Sequence, residues 1–166
     1  ETNSFLNTGF QHLRYNYRYD SLWTGEAFVQ TQYNKPLRLD FRIMVGAGPR
    51  LTAVHSKQFK LNLGTSLMFE NEHVTNGPTF SEGRSSTYVS STVNFNVIAS
   101  LTVVVYYRPK LFDASDHRIS LESGLLLNIT KRMTFESRLN LLKDTAQPEG
   151  VPSLSYSWNN LFGFKF

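Results

Sequence analysis

The stretch Ser153 to Phe166, SLSYSWNNLFGFKF, repeats with a period of two. Leu154, Tyr156, Trp158, Phe162, Phe164 and Phe166 share one parity, and Ser155, Ser157, Asn159, Gly163 and Lys165 take most of the other. Successive side chains of a strand point to opposite faces, so this segment has one large apolar face and one small or polar face. An apolar strand left at the edge of a soluble sheet would pair with other chains, whereas a sheet closed into a membrane barrel has no edge to offer. The expectation is therefore an all-β fold, an antiparallel up-and-down transmembrane β-barrel in the outer membrane of a Gram-negative bacterium. A soluble sandwich or a lipocalin-like barrel is the rival.

The whole chain agrees with this opening. Its 166 residues suit a single domain over 1–166, with 18% charged and 14% aromatic residues and a mean hydropathy of −0.30. Lipid-facing and lumen-facing residues that alternate cancel in such an average. No run approaches the ~18 apolar residues of a spanning helix. With no cysteine there is neither a disulfide framework nor a thiolate metal site. The start at Glu1 has no basic and apolar leader, so an export signal is expected to have been removed or never to have been present. The net charge of +4 comes from Lys and Arg scattered among acids, which fits lumen pairing or contact with lipid headgroups and not a nucleic-acid partner.

In chain order, Leu13 to Asp20 carries Tyr15, Tyr17 and Tyr19 opposite Arg14, Asn16 and Arg18, after a poorer pattern from Phe5 to Phe10. Trp23 to Tyr33 follows, then a turn at Asn34 to Pro36. Leu39, Phe41, Ile43, Val45 and Ala47 oppose Arg38, Asp40, Arg42, Met44, Gly46 and Gly48, and Phe59 to Phe69 alternate with Lys60 to Glu70. Further segments run over Val89–Val97, Leu101–Tyr107, Ile119–Ile129, Met133–Leu141 and the terminal stretch. Asn71 to Ser86, Pro109 to Asp116 and Lys143 to Pro152 read as external loops. The turns near Ser21, Thr52 to Lys57, Ala99 and Thr130 to Arg132 read as periplasmic. Each segment is near the ~9–11 residues a tilted strand needs to cross the hydrocarbon layer. About nine segments are legible; even-numbered barrels are the rule, so the range is eight to ten strands with ten favoured.

Tyr15 to Leu51 resembles the salt-induced outer-membrane proteins, a YdiY-like β-barrel family of undefined function. The likeness is carried by Arg18, Tyr19 and Asp20, by Phe28, Val29 and Gln30 with Tyr33, and by Leu39, Asp40, Arg42, Gly46, Ala47 and Gly48. Pro49 and Arg50 follow where the family would supply further Gly and aromatic residues. The strand Ile119 to Leu127, the turn Thr130 to Arg132 and the closing strand are similar in layout. Phe162, Phe164 and Phe166 resemble the terminal signal read by the barrel-assembly machinery, which implies a folding partner.

Candidate chemistry lies on the polar parity. Glu26, Arg38, Asp40, Arg42, Lys60, Glu70, Arg118, Glu122, Glu136, Arg138 and Lys165 are expected to interlock as a lumen charge ladder, because a barrel this small is little wider than its side chains. Tyr15, Tyr17, Tyr19 and Trp23 at one end, and Tyr156, Trp158, Phe162 and Phe164 at the other, are expected at the membrane interfaces. Outer-membrane lipid and lipopolysaccharide are the expected surroundings, with a protein partner at the external loops. For catalysis there are His12, His55, His73 and His117, the last in a loop with Asp113, Ser115 and Asp116; Glu70, Glu72 and His73 could hold a divalent cation. Neither set has the spacing its chemistry requires, so no catalytic residue, cofactor or metal is assigned. The functional expectation is a largely plugged barrel with a structural or accessory role; a narrow path for ions or small solutes comes second, and a lipid-modifying enzyme third.

Overall fold

The structure, a computed structural model, describes residues 7–147 and 150–164. Period-two alternation becomes nine strands: β1 (Thr8–Arg18), β2 (Trp23–Asn34), β3 (Leu39–His55), β4 (Phe59–Val74), β5 (Thr79–Phe95), β6 (Ala99–Lys110), β7 (Asp113–Asn128), β8 (Met133–Asp144) and β9 (Leu154–Phe164). Each pairs antiparallel with the next in a single sheet, in chain order. The turns are closed by local side-chain acceptors. Asp20 Oδ1 takes the backbone N–H groups of Leu22 and Trp23, both at 2.7 Å, and Thr130 Oγ1 takes that of Met133 at 3.0 Å. These amide bonds hold the Asp20 carboxyl below the usual carboxylate range, the bond from Trp23 contributing most.

The sheet curls into a half-barrel. Tyr88 on β5 donates to Glu26 Oε2 on β2 at 2.6 Å, and Arg118 on β7 donates to Glu72 Oε2 on β4 at 3.0 Å. Strands three apart on a flat sheet would be separated by ~14 Å. Contact between side chains on one face therefore requires that face to be concave. Even-numbered residues of β2 to β8 line it, among them the buried Met44, Met68, Glu70, Arg84, Arg118 and Asp144. Odd-numbered apolar residues such as Val45, Leu67 and Phe69 remain exposed on the convex face. Polarity is thus inverted relative to a soluble domain.

Several expectations change. Nine strands are present among the described residues, inside the eight-to-ten range and one short of ten. The closure expected of the terminal strand is not made there, because β1 and β9 are the sheet's two edges with no ladder between them. Phe166 and Lys165 lie outside the described residues, as does Phe5, while Thr8 to Phe10 opens β1. The stretches Asn71 to Ser86 and Pro109 to Asp116 are mostly strand, narrowed to turns at 75–78 and 111–112; β3 likewise runs on to His55 and β8 to Asp144. Four strands, β3, β4, β5 and β7, reach 16 or 17 residues. Beyond the apolar band both faces are polar, so the alternation fades while the backbone ladder continues. A bulge at Asp40 turns Leu39 inward against Val74, reversing its expected outward face.

The convex face carries two aromatic rows. Tyr33, Phe41, Phe69, Tyr107 and Tyr156 lie toward the end holding the 75–78 turn; Tyr17, Tyr19, Trp23, Phe95, Phe162 and Phe164 lie toward the opposite end. Phe162 and Phe164 therefore share an end with Tyr17 and Trp23, against expectation, since β1 and β9 run in the same direction. Both rows step down the register in the same sense across the sheet, as tilted strands require. On β4, Phe59 and Phe69 are ten residues apart. This is about 33 Å along the strand, or about 25 Å of height at a ~40° tilt.

Glycine placement permits the curl. At Gly48 an added Cβ would lie 2.0 Å from the backbone oxygen of Thr65, whereas at Gly124 it would meet nothing within 4 Å. Gly48→Ala is expected to destabilise the fold by about 1–3 kcal/mol through overpacking, measured by urea unfolding in detergent. Gly124→Ala should leave the midpoint almost unchanged, and equal losses at both positions would contradict the close approach of β3 and β4.

Candidate functional site: a charged mouth above a cavity

Most of the buried charged residues gather at one mouth, and a smaller set around Glu26 lies below it. Arg42, Glu70, Glu72, Arg84, Arg118 and Asp144, from β3, β4, β5, β7 and β8, are each no more than 9% exposed. Arg118 spans the concavity, holding Asp144 Oδ2 at 2.6 Å and Glu72 Oε2 at 3.0 Å while also pairing with Glu70. Arg42 takes Glu72 Oε2 through two nitrogens at 2.5 and 2.8 Å. Arg84 bonds Asp116 Oδ1 at 2.9 Å and Glu82 Oε2 at 3.0 Å, and Lys110 completes the row with Glu82 at 2.6 Å. Guanidinium cannot lose its proton in a protein, so confinement there is tolerable only with carboxylates in reach. An open cavity of about 410 Å³ flanks this lattice, lined by Phe80, Glu82, Arg84 and Lys110 among others.

Other residues expected in the ladder lie elsewhere. Arg38 sits outside the strands, closing the 3-10 turn Lys35–Leu37 with φ at 52°. Asp40 stands at the rim beside Lys35, with Thr75 Oγ1 donating to it at 2.7 Å. Lys35 chiefly, and Thr75 after it, hold the Asp40 carboxyl below its ordinary range. Lys60 and Glu122 are exposed, and Glu136 pairs with its neighbour Arg138 at 2.5 Å on β8. Glu26 lies at a lower level, joined to Arg50 at 2.7 Å. The sequence reading missed Arg84, Glu82, Lys110, Asp116 and Asp144 because they fell in stretches taken as loops. Their common even parity was the available signal.

The loop histidine does not form a relay. Ser115 Oγ bonds to Asp113 Oδ1 at 2.5 Å, while His117 Nδ1 lies 3.1 and 3.2 Å from the carbonyl oxygens of Ser115 and Ala114. Asp116 is engaged by Arg84. Nor do Glu70, Glu72 and His73 converge: the two acids point into the lattice, and His73 Nδ1 contacts Thr79 Oγ1 at 2.8 Å.

Beneath the mouth lies a cavity of about 220 Å³, walled by β1 to β7. Tyr88, which lies over the bare backbone of Gly64, crosses it to reach Glu26. Arg14 and Arg108 face the space from β1 and β6.

A family model described as "Protein of unknown function, DUF481" matches residues 6–166. Among solved structures, a NanC porin in a rhombohedral crystal form is similar with a TM-score of 0.63 and 12% identity, over 96% of this chain and 79% of that one. No curated protein matches the chain.

The lattice and an exposed pair separate by substitution. Arg118→Met should cost about 3–5 kcal/mol, since it strands buried carboxylates. Arg138→Ala should leave unfolding unchanged within error. Denaturant midpoints in detergent check both; a small loss for Arg118→Met would mean that the lattice is hydrated.

Proposed function

The chain belongs to that family of undefined function, and on this premise we propose that it is a small outer-membrane β-barrel, largely plugged, with a structural or accessory role. The observation that carries the membrane assignment is the pair of aromatic rows bounding an exposed apolar band about 25 Å tall, the height expected of a hydrocarbon-facing belt. The strand overhang is on the side of the charged mouth, where β4 continues five residues past Phe69. The β8–β9 connection, longer than any turn at the opposite end, favours this as the outer face, exposed to lipopolysaccharide, with the hairpin tip at 75–78 and that connection available to a protein partner. Phe162 and Phe164 fit the terminal signal of a client of the assembly machinery.

The plug is supported by Arg118 bridging strands three apart with its partners buried. Reconstituted in a planar bilayer, the protein is expected to show no unitary conductance, and steady discrete steps would overturn the plug. A second reading, a narrow channel, is favoured by the cavity below the mouth; it predicts steps that change in size with Arg42→Gln.

The membrane assignment has its own test. Leu63→Arg, on the convex face between the aromatic rows, should cost about 2–4 kcal/mol in lipid vesicles. Asn62→Ser, one residue away on the concave face, should cost far less. Equal and small losses, or a wild-type chain that stays folded and monodisperse without amphiphile, would remove the barrel from the membrane.

A further inference from the structure

The cavity beneath the mouth has an uneven distribution of charge and grease. Glu26, its best-buried acid, already accepts from Arg50 at 2.7 Å and from the Tyr88 hydroxyl at 2.6 Å; Arg14 donates through Nε to His12 Nε2 at 3.3 Å and brings its terminal Nη1 no closer than 3.8 Å to Glu26. Arg108 is held differently. Its guanidinium lies 4.4 Å from the centre of the Tyr106 ring, and among the described residues no carboxylate comes within 4.0 Å of it. Glu122, the other acid on the wall, is exposed. Stacking on an aromatic face fixes a guanidinium's position while leaving its in-plane N–H groups free to donate. An apolar patch of Phe28, Met44 and Met68 on β2, β3 and β4 shares the rest of the lining with His12, Gln30 and two serines.

We infer that this cavity is a binding site for a small organic carboxylate, whose anionic end is taken by Arg108 and Arg14 while its apolar body lies against Phe28, Met44 and Met68. Two fork-shaped donors suit a planar carboxylate, and a volume of about 220 Å³ admits a single ring with one substituent. The inference goes beyond the plugged-barrel reading and does not depend on it, because equilibrium occupancy can be measured whether or not the lumen conducts.

Isothermal titration of the full chain in uncharged detergent at low ionic strength, with benzoate, benzamide and benzylammonium as probes, tests it. Benzoate should bind at least about tenfold more tightly than its neutral isostere benzamide, and benzylammonium should give no saturable heat. Arg108→Gln should reduce the preference of benzoate over benzamide to less than about threefold, with heat-modifiable migration in detergent reporting that the variant is folded. If Arg108→Gln does not fold, Arg14→Gln takes its place with the same expectation. Equal binding of all three probes, no binding of benzoate by the wild-type chain, or a folded variant that keeps the full preference would each overturn the site.

Discussion

The arginines buried in the mouth of this curled sheet can neither discharge nor retreat to water, so carboxylates must come to them, some from distant strands. Arg118 illustrates the consequence: Asp144 faces it from the neighbouring strand β8, but Glu70 and Glu72 sit three strands away on β4, and only a strongly curved wall puts those two in range. Charge compensation and curvature are therefore one requirement. A flatter sheet would leave buried ions unpaired at a cost of several kcal/mol each.

The convex face explains why so polar an interior is affordable. In a soluble domain the apolar parity would be buried to drive folding; here Val45, Leu67 and Phe69 stay outside, and the concave side is filled mainly by polar and charged side chains, with Met44, Met68 and Tyr88 among them. The aromatic rows set the limits of the greasy band. Past them the strands continue as hydrogen-bonded ladders wet on both faces. That overhang carries the mouth, so the lattice stands at the edge of the apolar band and the cavity below it lies within.

Glycine and tyrosine cooperate in shaping that cavity. Gly64 leaves its backbone bare so that Tyr88 can lie over it and reach Glu26. Gly48 admits the backbone of β4 where a side chain would collide. The narrow lumen is thus built as much by missing Cβ atoms as by the large residues that cross it.

Strand identity, facing and up-and-down order followed from residue parity alone, because period two is a local property of each segment and hairpins join neighbours in chain order. Arg42, Glu70 and Arg118 were legible as inward charges for the same reason. What parity could not supply is which inward residues meet: Arg118 with Glu72, Tyr88 with Glu26 and Arg84 with Asp116 are separated by 46, 62 and 32 residues, and only the sheet's curvature brings them together. Arg84, Asp116 and Asp144 escaped notice because the contrast between faces disappears outside the apolar band, and Arg38, Asp40 and Leu39 were misplaced because a turn and a bulge shift the register locally. The sequence by itself determined that the chain is an alternating sheet with one face for grease and one for polar groups. The tertiary structure decided that the charges crowd one mouth and leave a cavity beneath it, since distances across a curved wall are set by every strand between.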